Sequence, residues 1–402
     1  MDNLSSHKRA AGQEKIEADG AWAIWSKAEA GMGARSGRPR IGRGGCRKGI
    51  HAACGLWQDA PMRVLLLASA LLIATPAGAD ETPAADGFPI WLANYKASAQ
   101  ARGLKPEWLE ATLAGATYSE RAVALDRNQP DDSGKRNVFA DYLARQLSQQ
   151  RIDDGLSRAA QERDVLLRIQ QQTGVPAEII VAIWGMETDY GRVMGGFDLP
   201  SAIATLAYDG RREALFTREL DSLVRMVGEK GVRRDQLTGS WAGAFGQSQF
   251  LPSSYLAHAA DGEGDGRADI WASRADTFAS IGTYLKDRGW TPGTGWGFRV
   301  GVPQGFERAS VANPVKPTQC IRPIERHSRW LPASEWRAKG FVPLNAMWPA
   351  DTVEMTLVEP DGPGEAAYLT TRNYRAILEY NCSNFYALSV ALLGNAVAPA
   401  LR

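Results

Sequence analysis

Along residues 88–170, apolar side chains recur at three- and four-residue spacing among charged ones. Trp91, Leu92 and Tyr95 form one set, Trp108, Leu109 and Leu113 a second, Val165, Leu166 and Ile169 a third. That period lays an apolar stripe on each of several amphipathic helices. Residues 174–290 continue as shorter helical pieces broken by Gly and Pro. At residue 291 the pattern changes. Thr291-Pro-Gly-Thr-Gly-Trp-Gly reads as a turn cluster, and short apolar stretches follow at 298–302, 353–357 and 367–369, separated by Pro and Gly. From Tyr374 the helical spacing returns, through Tyr386, Ala387, Val390, Ala391 and Leu393. The pattern predicts an α+β, mainly α protein with a helical N-terminal unit over 80–170 and a core over 171–290. An inserted strand-containing mixed α/β unit over 291–370 and a return to the core over 371–402 complete it. A chain of 402 residues suffices for two or three such units. It contains no internal repeat.

The first 61 residues differ from the rest. They are rich in Gly, Ala, Arg and Lys, with little apolar period. Met62-Arg63 then leads into an apolar run over 64–73 and into Thr75-Pro-Ala-Gly-Ala79-Asp80. A positive start, an apolar stretch of about ten residues and a small-x-small site make a signal peptide cleaved after Ala79. The run is too short to span a bilayer. Residues 1–61 are then either an over-extended reading frame before a start at Met62, or a disordered extension. The mature chain is expected to be periplasmic, soluble and monomeric, without a membrane span. Of four cysteines it would keep Cys320 and Cys382. These either pair in an oxidising compartment or remain as two buried thiols. No Cys stands at the cleavage site to carry a lipid. A net charge of +1 offers no field for nucleic acid beyond the basic leader. Thirteen tryptophans suit a sugar platform, or simply a core.

The chemistry centres on Gly174-Val-Pro-Ala-Glu-Ile-Ile-Val-Ala-Ile-Trp-Gly-Met-Glu187-Thr-Asp-Tyr-Gly191-Arg192. Pro176 suits a first helical turn and Gly191 a helix stop. Ile180, Ile183 and Trp184 mark one apolar face, and Glu187 falls on it. Desolvation there would raise the carboxyl pKa toward that of a general acid. The alternative is a structural pair with Arg192 or Arg211.

Further strings make a resemblance specific. They are Leu206-Ala-Tyr-Asp-Gly-Arg211-Arg212, Gly239-Ser240-Trp-Ala-Gly-Ala-Phe-Gly-Gln-Ser-Gln249-Phe250-Leu-Pro-Ser-Ser, and Asn373-Tyr374-Arg-Ala-Ile-Leu-Glu-Tyr380-Asn381-Cys-Ser-Asn-Phe-Tyr386. Over about residues 88–402 the chain resembles the soluble and membrane-bound lytic murein transglycosylase B family. The resemblance implies a lysozyme-like core and cleavage of the β-1,4 bond between N-acetylmuramic acid and N-acetylglucosamine in peptidoglycan. It places Glu187 as sole acid/base. Ser240, Gln249, Tyr284, Tyr380, Asn381 and Tyr386 fall at active-site and sugar-contacting positions, and Phe250, Arg211 and Arg212 at sugar or peptide contacts. Glu187 would protonate the glycosidic oxygen. The substrate's 2-acetamido group would assist in place of a second carboxylate, and Glu187 would then take a proton from the 6-hydroxyl, closing a 1,6-anhydro ring. A hydrolytic muramidase on the same fold and a non-catalytic peptidoglycan-binding scaffold are the rival readings.

Asp261-Gly-Glu263-Gly-Asp265-Gly266-Arg267 resembles the start of a calcium-binding EF-hand loop, with oxygen side chains at positions 1, 3 and 5 and Gly at 6. The Arg267 carbonyl would be the seventh-position ligand. Position 12 is Ala272, so the family's later carboxylate, Asp276, would close the site, after one extra residue. A solvated acidic turn is the other reading. The chemistry itself needs no cofactor, and neither H-E-x-x-H nor a phosphate-binding Gly loop occurs.

Overall fold

The computed structural model describes residues 85–128 and 138–402. The signal-like run, Met62 and the cleavage site lie outside the described residues. The helices run α1 (Phe88–Ala101), α2 (Pro106–Leu113), α3 (Glu120–Arg127), α4 (Phe139–Gln146), α5 (Gln149–Gln161), α6 (Arg163–Thr173), α7 (Ala177–Thr188), α8 (Leu199–Asp209), α9 (Glu213–Lys230), α10 (Pro252–His258) and α11 (Arg274–Asp287). After them come α12 (Ile321–Glu325), α13 (Ala333–Ala338), α14 (Arg372–Tyr380) and α15 (Asn384–Val397). A two-residue ladder joins β1 (Phe197–Asp198) to β2 (Thr238–Gly239). The larger sheet contains β3 (Gly297–Gly301), β4 (Leu331–Pro332), β5 (Val342–Pro343), β6 (Glu354–Val358) and β7 (Ala367–Thr370). Its order is β4-β6-β7-β3-β5, every pairing antiparallel.

Helix α7 lies at the centre, packed by α15, α5, α11 and α6. Its sequence carries Ile179, Ile180, Val181 and Ile183, residues of modest helix propensity. Burial decides the outcome instead: these four, Ala182 and Trp184 are all at most 3% exposed. Each such side chain contributes roughly 1.5–3 kcal/mol on leaving water. The helix is therefore apolar nearly all round, where the spacing alone suggested a single face. Its end also comes earlier than Gly191. Asp189 and Tyr190 already take left-handed conformations, with φ of 53° and 60°, and Gly191 follows at 83°. Tyr190 folds back under the helix, its hydroxyl donating to the Arg151 carbonyl at 2.8 Å. That position requires Gly185, where a Cβ would come within 2.6 Å of the Tyr190 ring.

The sheet has its own core, in which Val300, Met355, Leu357 and Leu369 pack with Trp336 and Phe341. Strands β3, β6 and β7 fall within a residue or so of the apolar stretches. The two-residue strands β4 and β5 and the short helices α12 and α13 carry no period long enough to read. A disulfide links Cys320 to Cys382, with Cα atoms 5.1 Å apart, and fastens the start of α12 to the turn between α14 and α15. Asn384 reinforces that junction by donating to the Pro323 carbonyl at 2.9 Å. The stretch Asn384–Leu401 is long and apolar enough to cross a membrane by length and composition, yet 61% of it is buried within this fold. It is the core helix against α7.

Candidate active site

Glu187 sits in the last turn of α7, half-buried where most of the helix is fully enclosed. The Tyr386 hydroxyl donates to Glu187 Oε1 at 2.7 Å across 199 residues of chain. Burial, followed by the charge of Glu187, holds the Tyr386 phenol well above its usual range, so it remains a donor. The same two causes, in the same order, raise Tyr380. Tyr284 is pushed up to about 12, chiefly by burial, with Glu187 the smallest contributor. One phenol thus bonds the carboxyl group directly, and its charge is felt by two more. Neither arginine of the alternative reading meets it by a direct bond: Arg192 bridges Asp154 and Asp189 at 2.7 Å each, and Arg211 is held by Asp126.

The phenols are fixed from behind. Tyr380 donates to the Ser248 carbonyl at 2.6 Å and Tyr284 to the Glu379 carbonyl at 2.7 Å. Their rings meet edge to face at 4.7 Å, and Phe250 lies 5.8 Å from one and 6.0 Å from the other. Phe250 and Tyr380 are at most 1% exposed, and Asn381 is fully buried at the end of α14. These residues form the wall behind Glu187. Ser240 is half-buried, and its Oγ accepts from the Ala244 amide at 3.0 Å, leaving its own proton to donate.

Residues 239–250 form a folded plug. Phe245 and Phe250 exchange backbone bonds at 3.0 and 3.1 Å. The small residues expected to admit a sugar chain serve this packing: a Cβ on Gly243 would meet Ile203 at 2.9 Å, and one on Gly246 would meet Ile270 at 2.7 Å. Gln249, in a left-handed conformation at φ 48°, turns its amide to the carbonyls of Gly246 and Met194.

Several supporting residues escaped the sequence reading. Gln247 Oε1 accepts from Trp184 Nε1 at 3.0 Å, and its Nε2 donates to the Trp271 carbonyl. Thr188 Oγ1 bonds the Gln247 carbonyl at 3.0 Å. The plug is thereby locked to the end of α7 beside Glu187. Glu219, 5% exposed, accepts from both the amide and hydroxyl of Ser253, at 2.9 and 2.7 Å, and so anchors the start of α10. Burial raises the pKa of its carboxyl. Gln247 stood in plain view within the 239–254 string, but nothing local to the sequence marks its partners.

Two sets of expected contacts are placed elsewhere. Arg212 is 5% exposed and pairs with Asp126, itself 1% exposed. Arg211 binds the other oxygen of that carboxylate at 2.8 Å and the Asp126 carbonyl at 2.9 Å. A buried carboxylate needs cations. The pair accordingly ties α3 to the α8–α9 turn, where the sequence suggested sugar or peptide contacts.

The acidic loop likewise spends its oxygens on its own backbone. Asp261 accepts from the amides of Glu263, Gly264, Asp265 and Gly266, and Asp265 from Arg267. Buried Asp276 accepts from Gly262, Glu263 and Asp269. Glu263 accepts from Ser273 at 2.9 Å. Among the described residues, no three acidic, His or Cys side chains converge as metal ligands. The turn at Gly266, φ 88°, suits a calcium loop, whereas the expected convergence of Asp261, Glu263, Asp265, the Arg267 carbonyl and Asp276 is not formed.

A half-buried carboxyl group at a helix end, bonded by a buried phenol in a mainly helical core, fits a lysozyme-like glycan-cleaving protein. Residues 87–395 match the Transglycosylase SLT domain family, and the chain belongs to it. The chain is 33% identical over 304 residues to membrane-bound lytic murein transglycosylase B of Escherichia coli, covering 74% of this chain and 79% of that one. It is similar in structure to SltB3 of Pseudomonas aeruginosa in complex with NAG-anhNAM-pentapeptide, with TM-score 0.70, 34% identity, and 78% and 80% of the two chains covered. A lytic transglycosylase of E. coli in complex with calcium superposes at TM-score 0.62 with 28% identity, covering 77% of this chain and 93% of that one. The protein is thus a lytic murein transglycosylase with a lysozyme-like fold.

Proposed function

We propose that Glu187 is the single acid and base that cleaves peptidoglycan glycan strands between N-acetylmuramic acid and N-acetylglucosamine, leaving 1,6-anhydro-muramic ends. The observation that carries this reading is the bond from the buried Tyr386 phenol to Glu187. Glu187 first donates its proton to the leaving glycosidic oxygen. The carboxylate that results is met at Oε1 by a phenol already oriented toward it, so its stabilisation needs no rearrangement. Ser240, with its proton available, is suited to hold the substrate's 2-acetamido group as it assists at the anomeric carbon, and buried Asn381 supports the wall behind it. Glu187 then removes the proton of the sugar's own 6-hydroxyl. That hydroxyl is tethered and outcompetes water by proximity. The fall of activity in Glu187→Gln, with glycan binding retained, tests the assignment.

The relatives act on the murein wall, and a leader cleaved after Ala79 would deliver this chain to the periplasm. Terminal sequencing of the exported protein tests that; a mature chain retaining Cys46 would contradict it. Calcium at the 261–276 loop is proposed as a structural ion remote from the proton transfer. Its support is the loop's outline and the calcium-bound relative.

A further inference from the structure

On the outward side of α14, Arg372, Arg375 and Glu379 follow one another at three- and four-residue spacing and share a face. There the helix meets Trp330, which directly precedes β4. Arg372 lies 4.8 Å from the indole centroid and Arg375 lies 5.4 Å from it, so one ring carries two guanidinium groups. Arg372 is neutralised by Glu354 at 2.6 Å. Arg375 differs. Its Nε is buried and has no hydrogen-bond partner, and among the described residues it makes no ion pair. Glu379, one turn further on, is engaged by Arg288 at 3.4 Å. Burial first, opposed by Tyr374 and Glu379 but aided by Arg372, draws the Arg375 pKa down to about 10, which still leaves it charged at neutral pH. A desolvated cation beside a second cation is costly unless an anion meets it.

The patch connects, through Glu379 and Arg288, to the wall behind Glu187. Arg288, besides reaching Glu379, lies over the Tyr284 ring at 5.1 Å. Tyr380 ends the same helix five residues beyond Arg375, about 7.5 Å along its axis. An N-acetylated glycan backbone carries no charge for a guanidinium to pair with. The free carboxylates of peptidoglycan lie on its peptide arms, which project beside the strand.

We propose that Arg375, oriented by Trp330 and flanked by Arg372, is a binding site for a carboxylate of the peptide arm on the strand being cut. A guanidinium held against an aromatic ring is preorganised for two-point carboxylate recognition. The proposal rests on the peptidoglycan reading above and adds where the peptide is held.

The test uses the full chain carrying Glu187→Gln, so that strands are bound without turnover. Its two probes are peptide-bearing glycan strands, native or with their peptide carboxylates blocked as methylamides. The parent should bind native strands about ten-fold more tightly than blocked ones, the worth of one charged hydrogen-bonded pair. Adding Arg375→Gln should bring native strands down to the blocked value and leave the blocked value unchanged. An Arg375→Gln protein that keeps the parental preference would overturn the site. Equal binding of both probes by the parent would do the same without any substitution at Arg375, so loss of folding in the variant cannot shelter the idea. Product analysis with Glu187 intact separates this failure from failure of the underlying reading. Anhydro ends without a carboxylate preference would refute only the peptide site.

Discussion

Glu187 was legible because its position on the α7 repeat is a local property of the sequence. Its hydrogen-bond partner was not. Tyr386 reaches it from a helix 199 residues away, and no spacing rule encodes such a contact. Family resemblance named Tyr386, and the fold brings its hydroxyl onto Glu187. Tyr386→Phe keeps the ring and removes the donor. We expect kcat to fall roughly ten- to a hundred-fold with KM little changed, because the bond matters most when Glu187 is ionised in the transition state. Unchanged kcat would show the phenol to be a packing residue only. Arg211 and Arg212 teach the reverse. Their sequence string fits a contact surface, but Asp126 claims both side chains. Arg212→Ala should destabilise the fold by about 3–5 kcal/mol, since it strips a buried carboxylate of its enclosed partner; thermal and urea unfolding measure this directly.

Among the elements, the long helices follow the apolar period, whereas ends and short strands do not. The reading stopped α7 at Gly191 because Gly is the usual left-handed residue. The helix stops at Asp189 because Tyr190 is drawn beneath it by Gly185, Trp184 and the Arg151 carbonyl. That cause is tertiary and invisible locally. The lock between α7 and the 239–250 plug gives a second expectation. Gln247→Ala removes the acceptor for Trp184 Nε1 and leaves a buried donor unmet, which costs about 1–3 kcal/mol. Equilibrium unfolding should show that loss. Activity should fall further than stability explains, because Thr188 beside Glu187 leans on the same segment. At the acidic loop, millimolar calcium should raise the melting temperature over a chelated sample by binding the native state alone. Superimposable melting curves would leave the loop an acidic turn held by its own amides.

At the scale of the whole molecule, a disulfide and a buried imidazole help to hold the sheet against the helices around Glu187. Cys320–Cys382 closes a loop over 62 residues. In the chain-entropy model this stabilises the fold by roughly 4 kcal/mol. The two cysteines were legible as a possible pair only by their place beyond the expected leader. Beside the disulfide, buried His327 bonds Asn384 of α15 at 2.8 Å and Thr356 of β6 at 3.2 Å. Burial first, then Arg375, depresses its pKa to about 3. Above pH 6.5 neither folded nor unfolded chain protonates this ring. As pH falls from 6.5 toward 3, only the unfolded chain gains the proton, so stability is lost by up to roughly 1.4 kcal/mol per unit. Melting temperatures should decline across that window, and His327→Gln should flatten the decline; an equally steep variant would assign the acid sensitivity elsewhere. The claim on which all else depends is the identity of the product. Mass spectrometry of muropeptides released from purified sacculi should find 1,6-anhydro-muramic ends, one water lighter than hydrolytic ends, with release abolished in Glu187→Gln. Predominantly reducing muramic ends would make the protein a hydrolase, and substantial release by Glu187→Gln would remove Glu187 from the chemistry.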